Sequence, residues 1–72
     1  MKTYIRSSNT EYFYWIFQDK DAQFALDKGR AASLIECQDM LNYYKKTYGS
    51  SCVITVKILG SDRWVCTRAS NV

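Results

Sequence analysis

The chain has 72 residues, of which 47% are hydrophobic, 15% are aromatic and 24% are charged, and its formal net charge is +3. This length predicts one domain, residues 1–72, with one small core, and the hydrophobic content excludes an intrinsically disordered chain. No run of 18 apolar residues is present, and no apolar segment follows the first basic residues, so we expect neither a transmembrane helix nor a signal peptide.

The N-terminal half predicts strands. Residues 3–7 predict a short first strand, and residues 11–18 predict the strongest strand in the chain. Both faces of this second strand are apolar, which is typical of a central strand. One face carries Phe13, Trp15 and Phe17, and the other carries Tyr12, Tyr14 and Ile16. Residues 23–26 predict a possible third strand, and residues 27–30 predict a loop.

A helix is predicted over residues 34–48. Ser33 and Glu36 match a capping box, in which each side chain accepts a hydrogen bond from the backbone of the other. Gly49 suits the position that ends a helix, and basic residues near the C-terminal end complement the helix dipole. The apolar stripe of the helix consists of Cys37, Met40, Leu41, Tyr44 and Tyr48.

The C-terminal part predicts a hairpin of residues 52–59 and 63–68, joined by a three-residue turn. On the inner face this register pairs Ile58 with Trp64 and Val56 with Cys66; on the outer face it pairs Lys57 with Val65, Thr55 with Thr67 and Leu59 with Arg63. The fold class is therefore α+β. We expect a two-layer sandwich in which an antiparallel sheet of four or five strands carries one helix on one face, in the order β-β-(β)-α-β-β.

No pattern of catalytic or metal-binding residues is apparent. The chain has no histidine, and its three cysteines include no Cys-x-x-Cys pair. The cysteines fall on predicted apolar faces, and Asp19, Asp21 and Asp27 fall in predicted turns or loops. The three glycines are isolated, so no phosphate-binding loop is predicted. We expect no enzyme, no cofactor and no metal, and the cysteine content favours a cytoplasmic location.

The surface character favours binding. Residues 1–40 carry five Lys or Arg and six Asp or Glu, a sum of −1, whereas residues 41–72 carry five and one, a sum of +4. With a single helix, one sheet face stays open, and we expect it to carry Tyr12, Tyr14 and Ile16 beside Lys57 and Arg63. Tyrosine and arginine together are typical of protein-binding hot spots, and the same mixture can stack bases and contact phosphates. A third interpretation is that the aromatic residues complete a small core or are covered in a dimer.

The element order and the segment Asp62-Arg63-Trp64-Val65-Cys66 resemble the small phage-encoded anti-CRISPR proteins, in particular type I-F inhibitors with an Arg-Trp-Val ending. The element order covers most of the chain, and the shared identities are a few residues. The resemblance implies an inhibitor that acts in the host bacterial cytoplasm and binds a CRISPR surveillance complex on surfaces meant for nucleic acid. Arg63 is the one residue whose role the resemblance suggests.

We therefore expect a non-enzymatic protein-binding module that blocks nucleic-acid binding by a host nucleoprotein complex, acting as a monomer or homodimer away from membranes. The alternative is a small nucleic-acid-binding protein that uses a basic, aromatic open sheet face. The predicted partner-binding residues are Tyr12, Tyr14, Lys45, Lys46, Lys57 and Arg63.

Overall fold

The computed structural model describes residues 10–72, which form a four-stranded antiparallel sheet with a helix packed across one face. The elements are β1 (Tyr12–Phe17), β2 (Asp27–Ala31), α1 (Leu34–Tyr48), β3 (Val53–Ile58) and β4 (Trp64–Ala69). The strands lie in the order β2-β1-β3-β4. The predicted α+β class and the placement of the helix are confirmed, and the strand predicted over residues 3–7 lies outside the described residues.

Helix α1 begins and ends where the sequence predicts. The Ser33 Oγ accepts a hydrogen bond from the Glu36 backbone N–H at 3.2 Å, as in a capping box. The Glu36 carboxylate reaches one residue further back than expected, to the Ala32 N–H at 3.2 Å. Gly49, with φ of 126°, donates to the Lys45 carbonyl at 2.9 Å and ends the helix.

The core lies between α1 and the sheet. Its buried residues alternate along the strands and recur at helical spacing on α1, so each element contributes one face. The cluster consists of Tyr14, Ile16, Ala31, Cys37, Leu41, Cys52, Ile54 and Val56.

The β1 face that packs against the helix is the one that we expected to be open. Tyr14 is 8% exposed and Ile16 is fully buried. The strand register causes this, because Tyr14 pairs with Val56 and Ile16 pairs with Ile54, both of which are fully buried residues of β3. The prediction of an open face built on Tyr12, Tyr14 and Ile16 is therefore wrong.

The third predicted strand lies further along the chain than expected. A strand was predicted over residues 23–26 and a loop over residues 27–30, but the strand β2 is Asp27–Ala31. Gly29 lies opposite Tyr14 in the pairing of β1 and β2, and a Cβ atom on it would lie 2.9 Å from the Tyr14 hydroxyl oxygen. The glycine is thus a strand residue whose missing side chain makes room for a buried ring.

The C-terminal hairpin keeps one predicted pair and changes another. Val56 pairs with Cys66 as expected, but Trp64 pairs with Lys57, and Val65 is an additional residue in β4. This bulge moves the Trp64 side chain from the inner face to the face opposite α1. The prediction that Trp64 points into the core is therefore wrong, and Trp64 is 55% exposed.

The core makes stability sensitive to high pH. Burial raises the pKa of the Cys37 thiol from 9.0 to about 11, and the hydrogen bond that Tyr44 donates to Asp27 at 2.8 Å raises the pKa of Tyr44 from 10.0 to about 12. Both groups are neutral when protonated, so the folded chain holds these protons more tightly than the unfolded chain.

We therefore expect these two groups to leave the free energy of unfolding unchanged between pH 7 and about 9, and to lower it progressively between about pH 9 and 12. Urea unfolding followed by circular dichroism at pH 7, 9, 10 and 11 measures this. The Tyr44→Phe variant is the matched control, since it should lose less stability than the unsubstituted chain above pH 10. Equal pH profiles for the two chains would contradict the role given to Tyr44.

Candidate functional site

The face of the sheet opposite α1, called the open face below, carries large aromatic side chains. Within residues 10–72 no helix packs on it. Phe13 and Trp15 of β1 have ring centroids 5.7 Å apart, and Trp15 lies 6.0 Å from Trp64 of β4. Phe13 is 36% exposed and Trp64 is 55% exposed. These three residues, called the aromatic row below, cross the sheet from its central strand to an edge strand.

Basic side chains lie beside the aromatic row and within it. Residues paired across antiparallel strands share a sheet face. Beside the row, Arg30 of β2 pairs with Phe13 and Lys28 pairs with Trp15. Within the row, Lys57 of β3 pairs with Phe13. The open face therefore combines flat apolar rings with three cationic groups.

Lys57 also interacts directly with the aromatic row. Its ammonium nitrogen lies 5.4 Å from the centroid of the Trp64 ring, within the range of a cation–π interaction. The strand register and this contact together place the lysine between Phe13 and Trp64. A ligand that stacks on either ring meets a positive charge next to it.

Arg30 is partly neutralised by a carboxylate. Its guanidinium lies 3.6 Å from the Glu11 carboxylate, and both side chains are largely exposed. An ion pair in such a position adds little stability because solvent screens it. Arg30 therefore keeps most of its capacity to contact a second anion.

Arg68 has a structural role at one end of the open face. Its guanidinium donates to the carbonyl oxygens of Lys20 and Ala22, at 3.0 and 2.6 Å, and stacks 3.6 Å above the Phe17 ring. Its backbone has φ of 50° at a second irregularity of β4, and its N–H donates to the Thr55 hydroxyl at 2.9 Å. These contacts tie the loop of residues 18–26 to the sheet.

An open cavity of about 560 Å³ adjoins the aromatic row at this end. Trp15 and Phe17 form one part of its lining, and the loop residues Gln23 and Phe24, together with Lys28, form another. Phe24 is 82% exposed, although it is a large apolar side chain. The cavity is therefore continuous with the row through Trp15.

The six residues predicted to bind a partner do not form one surface. Lys57 lies on the open face, and Arg63 is exposed in the turn that precedes Trp64. Tyr14 is buried and Tyr12 is half-buried, both against the core beneath α1. Lys45 and Lys46 lie on the last turns of α1, in the other layer, and the Lys45 ammonium donates to the Ser70 carbonyl at 2.6 Å.

Sequence reasoning missed most of the open face. Alternation along β1 grouped Phe13 with Trp15, but both faces of that strand are apolar, so nothing local showed which group is exposed. Lys28 and Arg30 were assigned to a loop, and Trp64 to the core. Only the pairing of each strand with its neighbours shows that these residues lie on the open face, and this pairing depends on the strand register.

The three cysteines lie in the core or pack against it. Burial raises the pKa of the Cys37, Cys52 and Cys66 thiols, which makes them poor nucleophiles at neutral pH. Among residues 10–72, no three His, Cys, Asp or Glu side chains come together in a way that would hold a metal ion. In the same part of the chain, no helix has the length and apolar character needed to cross a membrane.

No family model, curated protein or solved structure matches this chain. The likeness to anti-CRISPR proteins therefore stays a prediction.

Proposed function

We propose that this chain is a non-enzymatic binding module that binds single-stranded nucleic acid on its open face. The observation that supports the proposal is the aromatic row of Phe13, Trp15 and Trp64 with Lys28, Arg30 and Lys57 beside it. Sequence-tolerant binding of single strands combines stacking of bases on aromatic rings with cations that follow the phosphates. Both components lie on one face here.

The exposed rings favour a single strand over a duplex. A ring can stack only on a base whose face is accessible, and in a duplex both faces of each base are covered by neighbouring pairs. Trp64 is exposed and lies at the edge of the sheet on β4, so a base can approach it from solvent. The three cations beside the rings predict a modest affinity that falls as the salt concentration rises.

The salt dependence tests the proposal directly. With about three phosphates neutralised, log K should fall with log salt at a slope of about −2, which is about a 20-fold loss of affinity between 50 and 200 mM. The Lys57→Gln variant should lower this slope by about 0.7 because it removes one phosphate contact. Fluorescence anisotropy of a labelled eight-nucleotide strand measures both quantities.

Lys46→Gln provides the matched control, because Lys46 is an exposed lysine on α1, in the layer away from the open face. This variant removes the same charge and should leave the slope close to that of the unsubstituted chain. Equal effects of the two substitutions would show that net charge, and not the open face, determines binding. Absence of oligonucleotide binding at 50 mM salt would overturn the proposal.

Protein-directed binding, as in the predicted phage-type inhibitor of a host nucleoprotein complex, is the second candidate. The observation that favours it is the exposure of Trp64 next to Arg63, since tryptophan and arginine are enriched in binding hot spots. In this case the immobilised chain should retain one protein complex after nuclease treatment, and the Trp64→Ala variant should not retain it. This result, together with no oligonucleotide binding, would support this candidate over the first.

A further inference from the structure

The cavity beside the aromatic row has the components of a base-binding pocket. Trp15, Phe17 and Phe24 supply aromatic rings to its lining, and Lys28 supplies a cation. Its volume of about 560 Å³ lies within the range of small-ligand sites. The cavity is open to solvent, and Phe24 in its lining is 82% exposed.

The loop also offers hydrogen-bonding groups. The backbone N–H and C=O groups of Gln23, Phe24 and Ala25 have no hydrogen-bond partner among residues 10–72. Backbone groups that no residue in this range pairs can bond the edge of a base that has left the stack. The amide side chain of Gln23 is exposed next to them and can both donate and accept.

Arg68 makes the loop suitable for binding. Because its guanidinium holds the carbonyl oxygens of Lys20 and Ala22 and stacks on Phe17, the segment that leads to Phe24 is anchored to β4. An anchored loop loses less conformational entropy when a ligand binds than a free loop does.

From these observations we propose that the cavity binds one unstacked base of the single strand that lies on the aromatic row. The inference rests on the proposed function. Continuity supports it, because Trp15 belongs to both the row and the cavity lining, so a strand that stacks on Trp15 reaches the cavity with its next nucleotide. Lys28, which pairs with Trp15 across the sheet, lies where the connecting phosphate passes.

The test uses an eight-nucleotide single strand containing 5-iodouracil, which photo-crosslinks to aromatic rings on which it stacks. We expect crosslinks to Phe24 or Phe17 in addition to the aromatic row, located by mass spectrometry of the digested complex.

Phe24→Ala should weaken binding of the strand by about tenfold, the value typical of one lost stacking partner. Phe24→Tyr keeps the ring and should bind within about twofold of the unsubstituted chain. Since Phe24 is highly exposed, neither variant should unfold the domain.

The outcomes separate the two proposals. Crosslinks confined to Phe13, Trp15 and Trp64, with unchanged affinity in Phe24→Ala, would overturn the pocket while leaving the open face as the binding site. Equal losses in Phe24→Ala and Phe24→Tyr would also overturn it, because the ring would then not be the contacting group. No binding of the strand by any form of the chain would overturn the proposed function and the pocket together.

Discussion

Replacing Trp64 by alanine is expected to weaken binding of a single strand by about 5- to 150-fold, because stacking of one base on one aromatic ring is worth about 1–3 kcal/mol. The ring lies at the exposed end of the aromatic row, 6.0 Å from Trp15, and carries the Lys57 ammonium above it. Its removal therefore deletes a stacking surface and also releases a positioned cation. Titration of a labelled eight-nucleotide strand, followed by anisotropy, gives the change in Kd.

The fold should survive this substitution. Trp64 is 55% exposed, so truncation opens no core cavity, and the thermal midpoint should change by no more than a few degrees. Tyr43→Ala is the matched control, since Tyr43 is 58% exposed on α1 and lies in the other layer. It removes a comparable aromatic surface and should leave the Kd unchanged. An equal loss of affinity in both variants would contradict the assignment of the open face.

Gly29→Val is expected to destabilise the domain by about 2 kcal/mol, the typical cost of forcing extra atoms into a filled core. A Cβ atom at this position meets the Tyr14 hydroxyl oxygen at 2.9 Å and the adjacent ring carbon at 3.2 Å. Total stability for a chain of this length is on the order of 4–11 kcal/mol, so the loss is large. Valine has a high strand propensity, and propensity alone would therefore predict the opposite sign.

A double-mutant cycle identifies the cause. Tyr14→Phe removes the oxygen closest to a Cβ atom at position 29, and no residue in the range 10–72 forms a side-chain hydrogen bond with that hydroxyl. Gly29→Ala should therefore lower the free energy of unfolding by less in the Tyr14→Phe background. Chemical unfolding of the four chains gives the coupling energy, which should be about 0.5–1.5 kcal/mol. Lys28→Val, on the exposed neighbouring position of β2, should change stability by less than about 0.5 kcal/mol. A cost at Lys28 as large as that at Gly29 would point to the strand backbone and not to Tyr14.

The helix and the fold class follow from local features of the sequence. The signals for α1 are local: the Ser33 cap, the apolar stripe and Gly49 all act within a few residues, so the observed bounds agree with the predicted ones. Strands β1 and β3 lie within the predicted strands of residues 11–18 and 52–59, because aromatic residues in β1 and β-branched residues in β3 favour strands in most contexts. One helix and several strands then leave few arrangements other than a two-layer α+β domain.

The tertiary structure alone decided which surface is open. Both faces of β1 are apolar, so the choice between Tyr14 and Trp15 as the buried residue depends on the register with β3, and a shift by one residue would exchange the faces. Gly29 lies in a strand because β2 pairs with β1, and its missing side chain makes room for Tyr14. Trp64 is exposed because one additional residue in β4 reverses the direction of its side chain. These are contacts between distant segments, and local sequence patterns do not encode them. The candidate site is built almost entirely from such contacts. For this reason the sequence predicted a binding surface, but of the cations and rings that form this surface only Lys57 was among the predicted residues.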